Sequence, residues 1–300
     1  MIDTDRARPI VERAIDLGVT FFDTANSYSR GRSEEILGET IKGRRNDLVI
    51  ATKVFFPMSN KPNDCGLSRL HILKQIGGSL KRLGTDHVDL YQIHLWDDET
   101  PIEETVRALD DLVRAGKTIY TGASNTYAWQ LSKALWTCDK LGLTRFVSMQ
   151  NQYNLCYREE EREMIPLCRD EGIGLLPFSP LARGFLTGKY ARGKVSDSVR
   201  YRSDPKLVQN FFRPEDFDVV EEVVKVANEK NVTAAQIALS WLLHKEVVAP
   251  VVGATKVQHI EDAVEALNVR LSADDIRRLE APYRPHPAPE YDWRLSPLSK

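Results

Sequence analysis

The sequence lacks the features of a disulfide-rich secreted protein and of a membrane protein. Its 300 residues contain only four cysteines, none in a C-x-x-C pair, so we expect reduced thiols and a cytoplasmic location. No apolar run approaches the roughly 18 residues that a membrane helix needs. Residues 1–5 have neither the basic start nor the apolar core of a secretion signal. We therefore predict no contact with a membrane.

An excess of charge of one sign is missing as well. The 41 basic and 43 acidic residues are interspersed and give a net charge of −2. Because no basic block is present, we predict no nucleic-acid partner. The six histidines are scattered, with no ligand spacing such as His-Glu-x-x-His, so we also predict no metal site.

Two phosphate-binding motifs are absent. No Gly-x-Gly-x-x-Gly follows an apolar stretch, which argues against a doubly wound dinucleotide-binding fold. Residues 184–189 superficially resemble a phosphate-binding P-loop. They have three residues between the glycines where that motif needs four, and Tyr190 stands where a serine or threonine is required.

An alternation of apolar strands and amphipathic helices is present instead. Strands are predicted at residues 19–23, 48–53, 88–94, 117–124, 146–150, 173–178 and 247–252. Alternation of this kind predicts a parallel sheet wrapped by helices. A single α/β barrel typically takes about 250 residues. We therefore predict one barrel domain over residues 1–300, with an irregular tail at 281–300 and a basic interruption from Ser179 to about Pro214.

The number of predicted strands is one too few for a closed (β/α)8 barrel. Seven strands are predicted and eight are needed. The missing strand would precede Asp3. We therefore expect an α/β barrel that lacks its first strand.

Three polar residues end consecutive predicted strands. Asp23, Lys53 and His94 occupy these ends, and Tyr28 follows Asp23 by five residues. Buried parallel strands are apolar along their length, and catalytic groups lie at the carboxyl ends of barrel strands. We expect these four side chains to converge at one mouth.

These residue types together favour the reduction of a carbonyl group. A free tyrosine has a pKa of about 10, which a neighbouring ammonium group lowers. A carboxylate would hold that ammonium, and a neutral histidine would donate a hydrogen bond to the carbonyl oxygen. Such a site lacks a reductant, so it implies a hydride-carrying cofactor.

The same residues lie within motifs that resemble those of the aldo-keto reductases, which are NAD(P)H-dependent carbonyl reductases with a (β/α)8 barrel. The motifs are Asp23-Thr24-Ala25 with Tyr28, residues 31–38, Ala51-Thr52-Lys53 and residues 89–94. The likeness runs from about residue 5 to 281 and is nearest to bacterial oxidoreductases related to voltage-gated potassium channel β subunits. It implies that Tyr28 is the general acid, that Lys53 tunes it, that Asp23 pairs with Lys53, and that His94 orients the carbonyl. Family members usually begin with a short hairpin and a first barrel strand, which this sequence lacks.

The resemblance also implies NADP(H) as the cofactor. It assigns Ser124, Asn125 and Gln150 to the nicotinamide carboxamide; Ser179, Leu181, Gly184 and Leu186 to the pyrophosphate; and Gly253, Thr255, Lys256 and Asp262 to the adenosine end with its 2′-phosphate. A helix N-terminus beside a lysine independently favours an anion. Ala263 stands where the family often has asparagine. Ser124-Asn125 has an alternative interpretation as a helix cap.

Three functions remain open from the sequence. The first is an NADPH-dependent reductase of aldehydes and ketones, or the reverse oxidation of aryl alcohols. The alternatives are a low-turnover, redox-sensing NADP(H)-binding module and a structurally incomplete fragment. The partner is a small carbonyl or alcohol, whose identity the sequence leaves open, as it does the oligomeric state. Trp96, Trp129 and Tyr153 would line an apolar pocket or pack at its rim.

Overall fold

The computed structural model describes residues 4–190 and 213–287. Four arginines and lysines of the predicted basic interruption, and the tail after residue 287, lie outside the described residues; the four are Arg192, Lys194, Arg200 and Arg202. The described residues form two compact units. Unit 1 contains residues 4–151 and 163–175, and unit 2 contains residues 152–162, 176–190 and 213–287. The organisation as one domain stays a prediction.

Unit 1 is built on a sheet of six parallel strands. They are β1 (Phe21–Asp23), β2 (Val49–Val54), β3 (Val88–Ile93), β4 (Thr118–Ser124), β5 (Phe146–Gln150) and β6 (Gly174–Leu175). Its helices are α1 (Thr4–Asp16), α2 (Arg32–Thr40), α3 (Arg69–Leu83), α4 (Ile102–Arg114), α5 (Ala128–Leu141) and α6 (Met164–Asp170). Each strand pairs with the next one in the sequence. This order is that of part of a (β/α)8 barrel, and it confirms the predicted α/β class.

Helix α3 shows how the local sequence produces these elements. Ser68 caps its start by accepting a hydrogen bond from the backbone N–H of His71 at 3.3 Å. Ile72, Ile76 and Leu80 follow at helical spacing, and all three are buried. Gly84 ends the helix at φ +66°, a left-handed conformation that favours glycine.

The register of the sheet places one row of residues across four strands. Lys53 pairs with Gln92, Gln92 with Gly122, and Gly122 with Ser148. Paired residues share a face of the sheet. A Cβ atom on Gly122 would overlap the Ser148 hydroxyl and lie 3.1 Å from the Cγ atom of Gln92. Glycine at this position therefore leaves room for the Gln92 side chain.

Unit 2 is mainly helical. Its α-helices among the described residues are α7 (Asp216–Lys230), α8 (Ala234–Leu243), α9 (Val257–Glu265) and α10 (Ala273–Glu280). A capping box starts α8: the hydroxyl of Thr233 accepts from the N–H of Gln236, and the side chain of Gln236 accepts from the N–H of Thr233. No α-helix in the described part of either unit is long and apolar enough to cross a membrane.

The prediction of a seventh strand at residues 247–252 is wrong. Val251 makes only an isolated parallel bridge to Phe178, and its N–H donates to the carbonyl of Pro177 at 2.8 Å. Proline has no N–H to donate to a ladder, and Pro250 precedes this bridge. For the same reason, the strand predicted at 173–178 is shorter than expected, and β6 ends at Leu175 before Pro177.

Candidate active site

Lys53 lies fully buried in β2 with three polar neighbours. Its ammonium forms an ion pair with Asp23 and donates to the carbonyl of Thr24 at 3.0 Å and to the hydroxyl of Tyr28 at 3.4 Å. Burial, the largest influence, disfavours the charged form. Attraction to Asp23 and Tyr28, with hydrogen bonds to both, nevertheless raises the pKa of Lys53 above its usual range. Lys53 is therefore a buried cation at neutral pH.

The second oxygen of the Asp23 carboxylate accepts from two amides. The side-chain amide of Gln92 donates to it at 2.9 Å and that of Gln150 at 3.2 Å. The Gln150 amide nitrogen also lies 3.4 Å from the side-chain oxygen, Oε1, of Gln92. A buried carboxylate is tolerated only when its oxygens are paired. Sequence reasoning missed Gln92, although an amide two residues before His94 in a buried strand was the available signal.

His94 and Tyr28 lie edge to face, with ring centroids 5.5 Å apart. Burial, reinforced by the positive charge of Lys53, holds the pKa of His94 well below its usual range, so the imidazole is neutral and has one N–H to donate. Its buried Nδ1 atom has no hydrogen-bond partner among the described residues. Tyr28 keeps 40% of its surface exposed. The structure thus brings the four predicted catalytic residues together, and Tyr28 is the partly exposed member.

Ser124 and Asn125 lie beside His94. The Asn125 amide donates to the carbonyl of His94 at 3.1 Å and to the Ser124 hydroxyl at 2.9 Å. Asn125 adopts a left-handed conformation at φ +49°. Helix α5 begins at Ala128 and its capping position is Tyr127, so the interpretation of Ser124-Asn125 as a helix cap is wrong.

The loop assigned to the pyrophosphate lies in unit 2 and is tightly folded. Ala182 and Gly184 donate backbone hydrogen bonds to Ser179 and Leu181 at 2.9 and 2.8 Å, and Leu186 donates to Leu181 at 3.3 Å. A 3-10 helix spans Ala182–Thr187, with left-handed backbone at Arg183 and Gly184. Turns that combine right-handed and left-handed residues can form concave, anion-binding backbone.

Left-handed backbone concentrates in the candidate segments of both units. Eight non-glycine residues in the described part of the chain have positive φ angles. Six of them lie in or next to predicted site segments: Ser29, Arg30, Asn125, Ser179, Ala182 and Arg183. Each costs roughly 1–2 kcal/mol, and such strain clusters at functional sites. This distribution supports a role for the three segments beyond folding.

The segment assigned to the adenosine 2′-phosphate lies at the start of α9 in unit 2. Gly253, Thr255 and Lys256 directly precede this helix, and the Thr255 N–H donates to Nδ1 of His259 at 3.3 Å. Burial and then the positive charges of Lys189 and Lys256 lower the pKa of His259. The sequence did not point to the electrostatic effect of Lys189 on His259.

Two predictions remain, the cofactor position Asp262 and the absence of a metal site. Asp262 lies on α9 and accepts from the side chain of Gln258 at 3.1 Å. Among the described residues, no group of three or more histidines, cysteines and carboxylates could hold a metal ion.

The surroundings of the aromatic residues differ. In unit 1, Trp96 is buried and its ring centroid lies 6.3 Å from that of Trp129, which is 59% exposed. Phe56 contacts His94 edge to face, with centroids 5.0 Å apart. Tyr153 is buried in unit 2 against Trp241, and its hydroxyl donates to Glu161 at 2.6 Å. Tyr153 therefore packs in a core, whereas Trp129 is exposed.

Comparison with known proteins points in one direction. The model of the aldo/keto reductase family matches residues 1–284. A Schizosaccharomyces pombe protein named as a candidate aryl-alcohol dehydrogenase is 40% identical over 95% of this chain and 87% of its own length. A similarly named Saccharomyces cerevisiae protein is 39% identical over 92% and 86%. The versiconal hemiacetal acetate reductase of Aspergillus parasiticus is 37% identical over 95% and 89%.

Proposed function

The chain belongs to the aldo/keto reductase family, and from that premise we propose that it is an NADP(H)-dependent oxidoreductase that reduces aldehydes or ketones to alcohols. Carbonyl reduction needs a proton donor beside a group that polarises the carbonyl. The observation that carries the proposal is the hydroxyl of the partly exposed residue Tyr28 beside the Lys53–Asp23 pair, with neutral His94 next to it.

The proposed roles follow from charge and position. A carbonyl oxygen that lies against Tyr28 and His94 accepts hydrogen bonds from both. Tyr28 donates its proton to that oxygen, and the Lys53 ammonium stabilises the phenolate that remains. Asp23 keeps Lys53 charged, and Gln92 and Gln150 keep Asp23 in place. The nicotinamide, when bound, supplies the hydride.

The cofactor assignment rests on residues of each unit. We assign Ser124, Asn125 and the carbonyl oxygen of Gln150 to the nicotinamide carboxamide, since the Gln150 amide nitrogen is engaged by Asp23. The loop at 179–186, which has left-handed backbone at Ser179 and at residues 182–184, suits a pyrophosphate. Lys256 and Lys189 are exposed cations that act on His259 at the start of α9. That concentration of positive charge favours the 2′-phosphate, and hence NADPH over NADH.

For the substrate class, we propose aromatic aldehydes and the corresponding alcohols. Two of the relatives carry names for aryl-alcohol dehydrogenation. In unit 1, Phe56 contacts His94 and the exposed ring of Trp129 lies against Trp96. Flat aromatic surfaces of this kind favour aromatic partners.

The predicted relation to bacterial oxidoreductases and the predicted cytoplasmic location rest on the sequence alone. The closeness to bacterial oxidoreductases related to potassium-channel β subunits rests on motif resemblance, and the relatives named above are fungal. The cytoplasmic location rests on the small number of cysteines.

The test is turnover by the purified full chain, followed by NADPH absorbance with aryl and aliphatic aldehydes. We expect NADPH oxidation with aryl aldehydes and a preference for them over aliphatic ones. Tight NADPH binding without turnover would favour the redox-sensing module instead. If the chain neither binds NADPH nor turns over any of these aldehydes, the proposal is overturned.

A further inference from the structure

A second polar network lies under the segment that carries Tyr28. Residues 24–28 connect β1 to the 3-10 helix at Tyr28–Gly31. Within this segment, the fully buried amide of Asn26 donates to Oε1 of Gln75 on α3 at 3.1 Å. The backbone N–H of Asn26 donates to the carbonyl of Lys53 at 3.3 Å. Asn26 therefore links the Tyr28 segment both to the strand of Lys53 and to α3.

Gln75 is held in turn by a buried carboxylate. Its amide nitrogen donates to Oδ1 of Asp64 at 2.9 Å. Asp64 lies in the loop between β2 and α3, is buried, and also accepts from Ser59 and, at 2.8 Å, from Lys74. We call Asp64, Gln75 and Asn26 the polar relay. The relay joins the loop after Lys53, helix α3 and the Tyr28 segment.

The direction of the relay is imposed by charge. An ionised carboxylate can only accept hydrogen bonds, so Gln75 must turn its amide nitrogen towards Asp64 and its oxygen towards Asn26. Asn26 must then present its own amide nitrogen, which leaves its buried oxygen without a partner among the described residues. A buried unpaired oxygen is unfavourable. The orientation of the Asn26 side-chain amide is therefore determined by Asp64, through Gln75, and not by the groups that surround Asn26.

We propose that the relay of Asp64, Gln75 and Asn26 is a positioning device for Tyr28, which holds its hydroxyl at the Lys53 ammonium. The contact it supports, 3.4 Å between Lys53 Nζ and the Tyr28 hydroxyl, is already long. A small displacement of residues 24–28 breaks it, whereas the Lys53–Asp23 ion pair joins β2 to the last residue of β1, outside that segment. The effect on turnover rests on the function proposed above, but the position of Tyr28 does not.

The key variants break the hydrogen bond between residues 64 and 75 of the relay and then restore it. Gln75→Glu sets a carboxylate against Asp64 and should displace Asn26. The double variant Asp64→Asn with Gln75→Glu restores the order, since the amide introduced at 64 donates to the carboxylate introduced at 75, which still accepts from Asn26. Lys74→Met is the matched control, because it removes one partner of Asp64 and leaves the relay intact. Gln75→Met replaces Gln75→Glu if that protein does not fold.

The first measurement needs no turnover. The full chain is labelled with 3-fluorotyrosine, and the ¹⁹F resonance of Tyr28 is assigned among the ten tyrosines by its loss in Tyr28→Phe. We expect Gln75→Glu or Gln75→Met to shift this resonance, the double variant to return it, and Lys74→Met to leave it in place. An unshifted resonance in a folded Gln75 variant overturns the proposal.

The second measurement separates positioning from general damage. We expect Gln75→Glu to lower kcat by roughly 10–10²-fold, in line with the cost of a small misplacement, while the Kd for NADPH changes by less than about twofold. In the Tyr28→Phe background the same substitution should add almost nothing, because the group it positions is gone. An equal loss in that background overturns the proposal. A wild-type chain that reduces no carbonyl refutes the proposed function, and the ¹⁹F result then decides the relay alone.

Discussion

Lysines occupy opposite environments in the two units. In unit 1, Lys53 is fully buried, and every hydrogen atom of its ammonium can be directed at Asp23, Thr24 or Tyr28. In unit 2, Lys256 at the start of α9 and Lys189 are both exposed. A buried charge depends on its partners, whereas an exposed charge is screened by water and salt. The difference suits a fixed proton-transfer site in one unit and an adaptable anion site in the other.

The largest effect expected is that of Tyr28→Phe in unit 1. Removal of a positioned general acid costs about 10²–10⁴-fold in turnover. The affinity for NADPH, measured by fluorescence, should change little because the phenol is assigned no part in cofactor binding. Near-native turnover by the variant would show that Tyr28 is not the proton donor.

Asp23→Asn tests how much the stability of the protein depends on the partner of a buried charge. This change leaves the Lys53 ammonium buried without its counter-charge, which costs about 3–5 kcal/mol in the free energy of unfolding. Lys256→Ala is the exposed counterpart and should cost less than about 0.5 kcal/mol. Urea denaturation measures both, and similar losses would contradict the contrast between the two units.

In unit 2, the expected effect is on cofactor choice. A charge-assisted contact to the 2′-phosphate contributes about 1.5–3 kcal/mol, or roughly tenfold or more in affinity. Native protein should therefore bind NADPH more tightly than NADH, and Lys256→Ala should narrow the gap. The preference should also weaken with added salt. Equal affinity of the native protein for the two cofactors would refute the assignment.

The smallest effect expected is a dependence of stability on pH. Burial lowers the pKa of His94 in the folded protein, while its unfolded value is near 6.5. The unfolded state thus binds more protons below pH 6.5, so the stability present above that pH is lost as the pH falls, by at most about 1.4 kcal/mol per pH unit. Denaturation at pH 7.5 and 5.5 should show a smaller loss for His94→Gln than for native protein. His259→Gln, at a half-buried site, should alter the loss less.

Much of unit 1 could be predicted because burial leaves a pattern in the sequence. Parallel strands covered on both faces are continuously apolar, so Asp23, Lys53 and His94 stand out as exceptions at strand ends. Unit 2 was harder to predict. The apolar residues at 247–252 have the composition of a strand, yet Val251 makes a single bridge beside Pro250.

The sequence by itself therefore determined the α/β alternation, the helix caps at Ser68 and Thr233, and the polar strand ends, because these depend on near neighbours. Only the tertiary structure decided the partners of the buried amides. Gln92 reaches Asp23 across 69 positions of the chain, and Gln75 reaches Asn26 across 49. It likewise placed the charge of Lys189 near His259. Amides and lysines are common on surfaces, and only burial against a specific partner gives such a side chain a fixed orientation or charge.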